Sequence, residues 1–218
     1  MKAMILSAGR GSRLRPLTDH TPKVMIEIEG KPLIQHHIEK LRARGVTDIV
    51  VNLAHLGEKI VQYLGDGRHL GVKISYSKEP TGGLETGGGL AQALPLLGQH
   101  AFIAINGDVY TDFDYGKLQP INNQLAHLAL VPNPIHNPMG DFSLDERGLL
   151  SQKQEVNYTF SGIAVYHPTL FANTQPGKFS VVPLLKQAML NHQVSAEVYR
   201  GDWHDIGTIE RLNHFREA

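Results

Sequence analysis

Short apolar runs and helical spacings alternate along the chain. Residues 3–7 form a compact apolar run suited to a buried strand, and residues 24–28 predict a second, shorter extended segment. Pro32 stands where a first-turn proline belongs, and Leu33, Ile34, Ile38 and Leu41 keep helical spacing up to a stop at Gly45. The pattern continues with a strand over residues 48–53, a helix over 58–64 and an alternating strand over 72–77. A helix over 89–97 leads into a strand over 101–106, and strands over 125–131 and 160–166 flank a Pro/Asn-rich loop at 132–140. Residues 183–191 read as helical, 196–200 as extended, and 209–217 as a closing helix.

This repetition predicts an α/β fold with a Rossmann-like, doubly wound, mostly parallel sheet covered by helices on both faces. Ligands of such sheets sit beyond the carboxyl ends of the strands, which singles out the loops after Ser7, Ser77 and Asn106. With no internal repeat, low-complexity stretch or break in composition, residues 1–218 read as one domain.

Composition narrows the function classes. Lys plus Arg and Asp plus Glu both total 21, and a chain of zero formal charge lacks the basic surplus of a general nucleic-acid coat. The absence of cysteine excludes a disulfide scaffold, a thiolate metal site and a Cys nucleophile. No apolar run approaches the roughly 18 residues of a membrane span, and the first apolar stretch is too short for a signal peptide, so a soluble, cytoplasmic protein is expected. The twelve histidines are scattered, with His36 and His37 on two sides of one helix, and predict no metal site. Glycine is clustered instead, at Gly9 and Gly11, then at Gly82, Gly83, Gly87, Gly88 and Gly89.

The first cluster lies in Leu-Ser-Ala-Gly-Arg-Gly-Ser-Arg-Leu-Arg-Pro-Leu-Thr-Asp-His-Thr-Pro-Lys, residues 6–23. Bare glycines leave backbone N–H groups open to an anion, and Arg13 and Lys23 are suited to clamp a polyphosphate. Residues 1–44 hold nine Lys or Arg against four Asp or Glu, which concentrates positive charge here. A dinucleotide fingerprint would need a third glycine where Leu14 stands, and a Walker loop needs a Gly-Lys-Ser/Thr found nowhere in the chain. On glycine spacing alone, a plain strand-to-helix turn with solvated arginines is an equal reading.

The whole run, however, resembles the signature of the sugar-1-phosphate nucleotidyltransferases, Leu-Ala-x-Gly-x-Gly-x-Arg-Leu-x-Pro-Leu-Thr followed by Pro-Lys, with Ser7 as the one mild departure. The resemblance implies a GT-A-like α/β/α architecture, with a nucleotide-binding part over about 1–110 and a sugar-binding part over about 111–218. It implies that Ala8, Gly9, Gly11, Ser12, Arg13 and Lys23 bind the nucleotide, with Arg13 and Lys23 catalytic through charge neutralisation. Glu79 and Gly83 fall in the family's base-recognition loop, where an acidic oxygen can accept the uracil N3–H that cytosine lacks. Read without the family, that segment is a turn feeding a helix. The run Leu84-Glu85-Thr86-Gly87-Gly88-Gly89 looks most like the uridylyltransferase branch of peptidoglycan recycling, whose substrates are UTP and N-acetylmuramate α-1-phosphate.

Two further motifs, Gly107-Asp108 and Trp203-His204-Asp205-Ile206-Gly207-Thr208, match the family's magnesium stations, so the resemblance assigns Mg2+ to Asp108 and Asp205. Without it, either Asp reads as a helix cap or turn former, and a separation of 97 positions gives no reason to pair them. An alternative metal motif, Asp112-Phe113-Asp114, would suit a nucleotide-sugar glycosyltransferase but leaves the Gly/Arg loop without a task. For the acceptor sugar phosphate the resemblance points to Asn106, Gly140, Asp141, Ser161 and Gly162, and leaves Lys153 and Glu155 unassigned. The chain ends thirteen residues after Asp205, so no β-helix domain and a monomer or weak homodimer are expected. A non-catalytic nucleotide-sugar sensor is the rival outside the enzyme class, and another sugar-1-phosphate or base the rival within it.

Overall fold

A computed structural model describes residues 1–118, 123–151 and 157–217. Its first strand β1 (Lys2–Leu6) runs into the Gly/Arg loop, which ends in a single 3-10 turn, Lys23–Met25, and a small hairpin of β2 (Glu27–Ile28) and β3 (Lys31–Pro32). The extended segment expected over 24–28 is therefore half turn. Helix α1 (Leu33–Ala43), β4 (Asp48–Leu53), α2 (Gly57–Leu64) and β5 (Lys73–Lys78) follow as the pattern of spacings requires. Helix α3 (Glu85–Leu97) starts four residues before the expected position and carries three successive glycines. After β6 (Phe102–Asn106) come β7 (Val109–Thr111), β8 (Ala126–Val131), the short pair β9 (Ser143–Leu144) and β10 (Leu150–Ser151), and β11 (Thr159–Tyr166). The chain closes with α4 (Val182–Leu190), β12 (Val194–Val198), β13 (Trp203–Asp205) and α5 (Ile209–Glu217).

Seven strands form one sheet in the order β12-β8-β11-β6-β1-β4-β5. Every neighbouring pair is parallel except those of β11, which runs against both β6 and β8. The sheet is buried on both faces. Ile5, Val51 and Ile105 point into a core with Ile34, Ile38 and Leu41 of α1 and Ile60 of α2. Met4, Val50 and Ala104 point the other way, against Leu90 and Ala93 of α3 and Leu185 of α4. A third cluster, Leu14, Ile26, Ile28, Leu33, Ile206 and Leu212, pins the Gly/Arg loop against the final helix. Among the described residues no helix is long and apolar enough to cross a membrane.

Candidate active site

The chain leaves β1 for β4 and β5 on one side and then returns to β6 on the other, which opens a crevice at the carboxyl ends of β1 and β6. Leu6 stands beside Asn106, and Asn52 beside Ser77, so these strand ends lie level along one edge. A cavity of about 490 Å3 fills the crevice. The backbone from Ala8 to Arg13 forms one wall, Glu79 and Gly83 contribute another, and Lys23, Asn106 and Asp108 also line it. A Cβ at Gly9 would meet no protein atom within 4 Å, so the fold itself does not demand that glycine. Gly11 differs: its φ is 67°, and a Cβ would stand 2.9 Å from the Thr18 methyl. The Thr18 hydroxyl donates to the Gly11 carbonyl at 2.8 Å, which fixes the loop's curve. Lys23 ion-pairs through its Nζ with Asp108 at the floor of this cavity.

The pairing of Asp108 with Asp205 comes from a ribbon too short for periodicity to reveal. β7 and β13 run antiparallel with Asp205 opposite Val109, and the Ile206 N–H donates to the Asp108 carbonyl at 2.9 Å. Asp205 Oδ2 accepts from Arg211 Nη1 at 2.6 Å, while its buried Oδ1 has no hydrogen-bond partner. Two carboxylates that line one cavity, one with an unsatisfied buried oxygen, fit a hard divalent cation. No group of three or more His, Asp or Glu stands ready to ligate among the described residues.

A second cavity of about 230 Å3 adjoins the first and shares Asn106 and Asp108 with it. Its wall is a bulge in β11, where pairing with β8 slips between Phe160 and Ile163. The Ser161 hydroxyl donates to the Ala129 carbonyl at 2.7 Å, and the Ser161 carbonyl accepts from Trp203 Nε1 at 2.9 Å, so Ser161 serves the bulge. Gly162 has φ 79°, and a Cβ there would come within 2.6 Å of Asn106 Nδ2. Asp141 lines this cavity while its carboxylate accepts from the Phe160 N–H at 2.8 Å. Gly140 lines neither cavity; it turns the chain at φ 59° against Asn133. Lys153 and Glu155 lie outside the described residues.

Several lining residues gave no functional signal in the sequence. His136 lies 3.7 Å from Asp205 and accepts from Arg211 Nη1 at 3.1 Å. Burial first, then the Arg211 charge, holds its pKa below the ordinary histidine value, which favours the neutral acceptor form. Lys178 reaches the larger cavity because α3 is bare along one side. A Cβ on Gly87 would strike the Phe179 ring at 2.5 Å, one on Gly88 would strike the Gly177 carbonyl, and one on Gly89 would lie 2.5 Å from Glu79 Oε1. The glycine run thus seats the 177–180 segment against the start of α3, beside the 79–84 loop. Asp112 and Asp114 line neither cavity. Asp112 accepts from the Tyr199 hydroxyl and the Asp202 N–H, and Asp114 pairs with Arg44 at 2.7 Å, so both serve as structural ties.

The nucleotidyl transferase family model matches residues 2–138. The N-acetylmuramate alpha-1-phosphate uridylyltransferase of Neisseria meningitidis is 49% identical over 97% of this chain and 95% of its own length. The Caulobacter vibrioides protein of the same name is 29% identical over 94% and 91% of the two chains. A solved structure from Bacillus anthracis, a protein named for glucose-1-phosphate thymidylyl transfer, shares the fold with a TM-score of 0.85 at 23% identity, over 100% of this chain and 94% of that one.

Proposed function

Because the chain belongs to the nucleotidyl transferase family, we propose that it transfers the uridylyl group of UTP to N-acetylmuramate α-1-phosphate, releasing pyrophosphate. The product is UDP-N-acetylmuramate, and the setting is peptidoglycan recycling in the cytoplasm, with a monomer or weak homodimer as the working unit. The observation that carries this reading is the 49% identity that runs end to end with the Neisseria meningitidis enzyme of that activity.

The arrangement suits such a transfer. The attacking acceptor oxygen is already anionic, so no general base is needed, and the protein's work is alignment and charge neutralisation. UTP occupies the larger cavity, with its phosphates on the exposed N–H groups from Ala8 to Ser12. Arg13 draws off the negative charge of the departing pyrophosphate, and Lys23 meets charge building at the α-phosphate. The sugar phosphate enters the smaller cavity, where Asn106 and the Gly162 backbone meet it. Asp108 and Asp205 would hold Mg2+, which when bound supplies Lewis-acid neutralisation between the two anionic substrates.

The test is pyrophosphate release with magnesium, crossing the four nucleoside triphosphates with a panel of sugar-1-phosphates. Release confined to UTP with the muramate phosphate supports the proposal. Release with another pair keeps the transfer chemistry and rejects the substrate. Silence across the panel, with UTP still bound, rejects the enzyme in favour of a nucleotide-sugar sensor.

A further inference from the structure

One hydrogen-bonded relay ties the phosphate loop to the base-side loop, and its centre is Asn52. Asn52 is almost wholly buried, yet it sits at the end of the apolar strand β4 and lines the larger cavity. Its Oδ1 accepts from the Ser7 N–H at 2.5 Å, at the point where β1 becomes the Gly/Arg loop. Its Nδ2 donates to Glu79 Oε1 at 2.6 Å. Glu79 Oε2 in turn accepts from the Leu84 N–H at 2.7 Å, closing the 79–84 loop on itself. An amide can do both jobs at once, because it carries an acceptor and a donor on one rigid group.

The loop needs such a staple. Gly82, Gly83 and Glu85 all hold left-handed backbone, with φ of 99°, 69° and 59°, and Glu85 does so without the freedom of glycine. For a non-glycine residue such as Glu85, that conformation persists only where the surroundings over-determine it. Gly89 leaves the space for the staple, since a Cβ there would lie 2.5 Å from Glu79 Oε1 and 3.2 Å from Asn52 Nδ2. Two of the four lone-pair sites on the Glu79 carboxylate are thereby spent on protein donors. Glu79 also lines the larger cavity, and Asn52 holds one of its two oxygens there.

We infer that Asn52 is the positioning residue for base discrimination: through Glu79 it aims the acceptor that reads the pyrimidine edge, and through Ser7 it fixes the distance from base to triphosphate. This rests on the uridylyl-transfer reading above. Asn52→Ala removes the relay, and Asn52→Asp replaces the donor with a second carboxylate facing Glu79. For both variants we expect the UTP KM to rise about tenfold, the scale of one lost hydrogen bond to a charged group. The UTP-to-CTP ratio of kcat/KM should fall by a similar factor, with kcat at saturating UTP and the KM for the sugar phosphate within about twofold of wild type.

Gly89→Ala, whose methyl would crowd both ends of the Asn52–Glu79 bond at 3.2 Å and 2.5 Å while keeping the amide itself, should reproduce the loss of discrimination. Thermal unfolding of each variant identifies a folding defect, and the unchanged acceptor KM serves as an internal reference. An Asn52→Asp protein that folds and keeps both the UTP KM and the UTP-to-CTP ratio overturns the inference. Equal losses for UTP and the acceptor overturn it too, since they mark general damage. Failure of the wild-type protein to turn over UTP instead overturns the functional reading.

Discussion

Replacing Lys23 by methionine removes a positive charge while keeping most of the stem that packs under Gly11, where a Cβ would lie 3.3 Å from Lys23 Cβ. In the free chain this lysine is paired with Asp108, with side-chain exposures of 11% and 30%. Solvent reaches the Asp108 end, so the loss in folding stability should stay at about 1 kcal/mol. The catalytic cost should be larger. If Lys23 meets charge that develops at the α-phosphate, its removal costs about 2.7–4 kcal/mol in the transition state, a fall in kcat of about 10²–10³. Steady-state pyrophosphate release measures kcat, and a chemical-denaturation midpoint measures the fold. Titration with Mn2+ gives an independent readout: Asp108, freed of its cationic partner, should bind the divalent ion more tightly when no substrate is present. A folded Lys23→Met enzyme with kcat within about threefold of wild type would refute the assignment, because the margin is far below one charge-stabilising contact.

Gly88→Ala should destabilise the protein by about 1–3 kcal/mol, since the new methyl meets a backbone carbonyl at Gly177 that cannot swing aside; a lowered melting temperature together with a raised UTP KM is the expected signature. Asp112→Asn and Asp114→Asn should leave pyrophosphate release within about threefold of wild type, because both carboxylates are occupied by Tyr199, Asp202 and Arg44 away from the cavities; a collapse of activity at unchanged stability would reinstate the Asp-x-Asp motif as a metal site. His37 is fully buried beside Tyr115, and burial lowers its pKa from 6.5 to about 3. The unfolded chain therefore takes up a proton that the folded chain refuses, so stability is lost as pH falls from 6.5 toward about 3. His37→Gln should flatten that part of the stability profile, as read from urea midpoints between pH 7 and pH 4.

The strands and helices were legible where burial imposes a period, and the phosphate-type loop where its motif is long. The start of helix α3 was not, because Gly87 and Gly88 argue locally against a helix; contacts with Phe179 and Gly177 repay that propensity only in three dimensions. Asn52 offered a faint signal, one amide at the end of an otherwise apolar strand, but its partners Ser7 and Glu79 are 45 and 27 residues away. Asp108 was visible as an acidic residue after an apolar run, and Asp205 through the motif of residues 203–208. Their meeting was not, because β7 and β13 are three residues each and show no alternation long enough to read.

What makes the fold more than a parallel sheet with one crevice is its antiparallel material. A purely parallel edge would end the site at β6. Here β11 runs back beside β6, and its bulge turns Ser161 and Gly162 into a second wall, tied by Trp203 to the ribbon. The ribbon of β7 and β13 then places Asp108 and Asp205 at the seam, since Asp108 lines both cavities and Asp205 the smaller one. Two anions that must react in line need a shared boundary where charge is neutralised while each is held on its own side. Asn106 and Asp108, the last residue of β6 and its near neighbour, border both compartments. Changes at these two positions should therefore disturb both substrates at once, whereas changes at Asn52 or Gly162 should each disturb one.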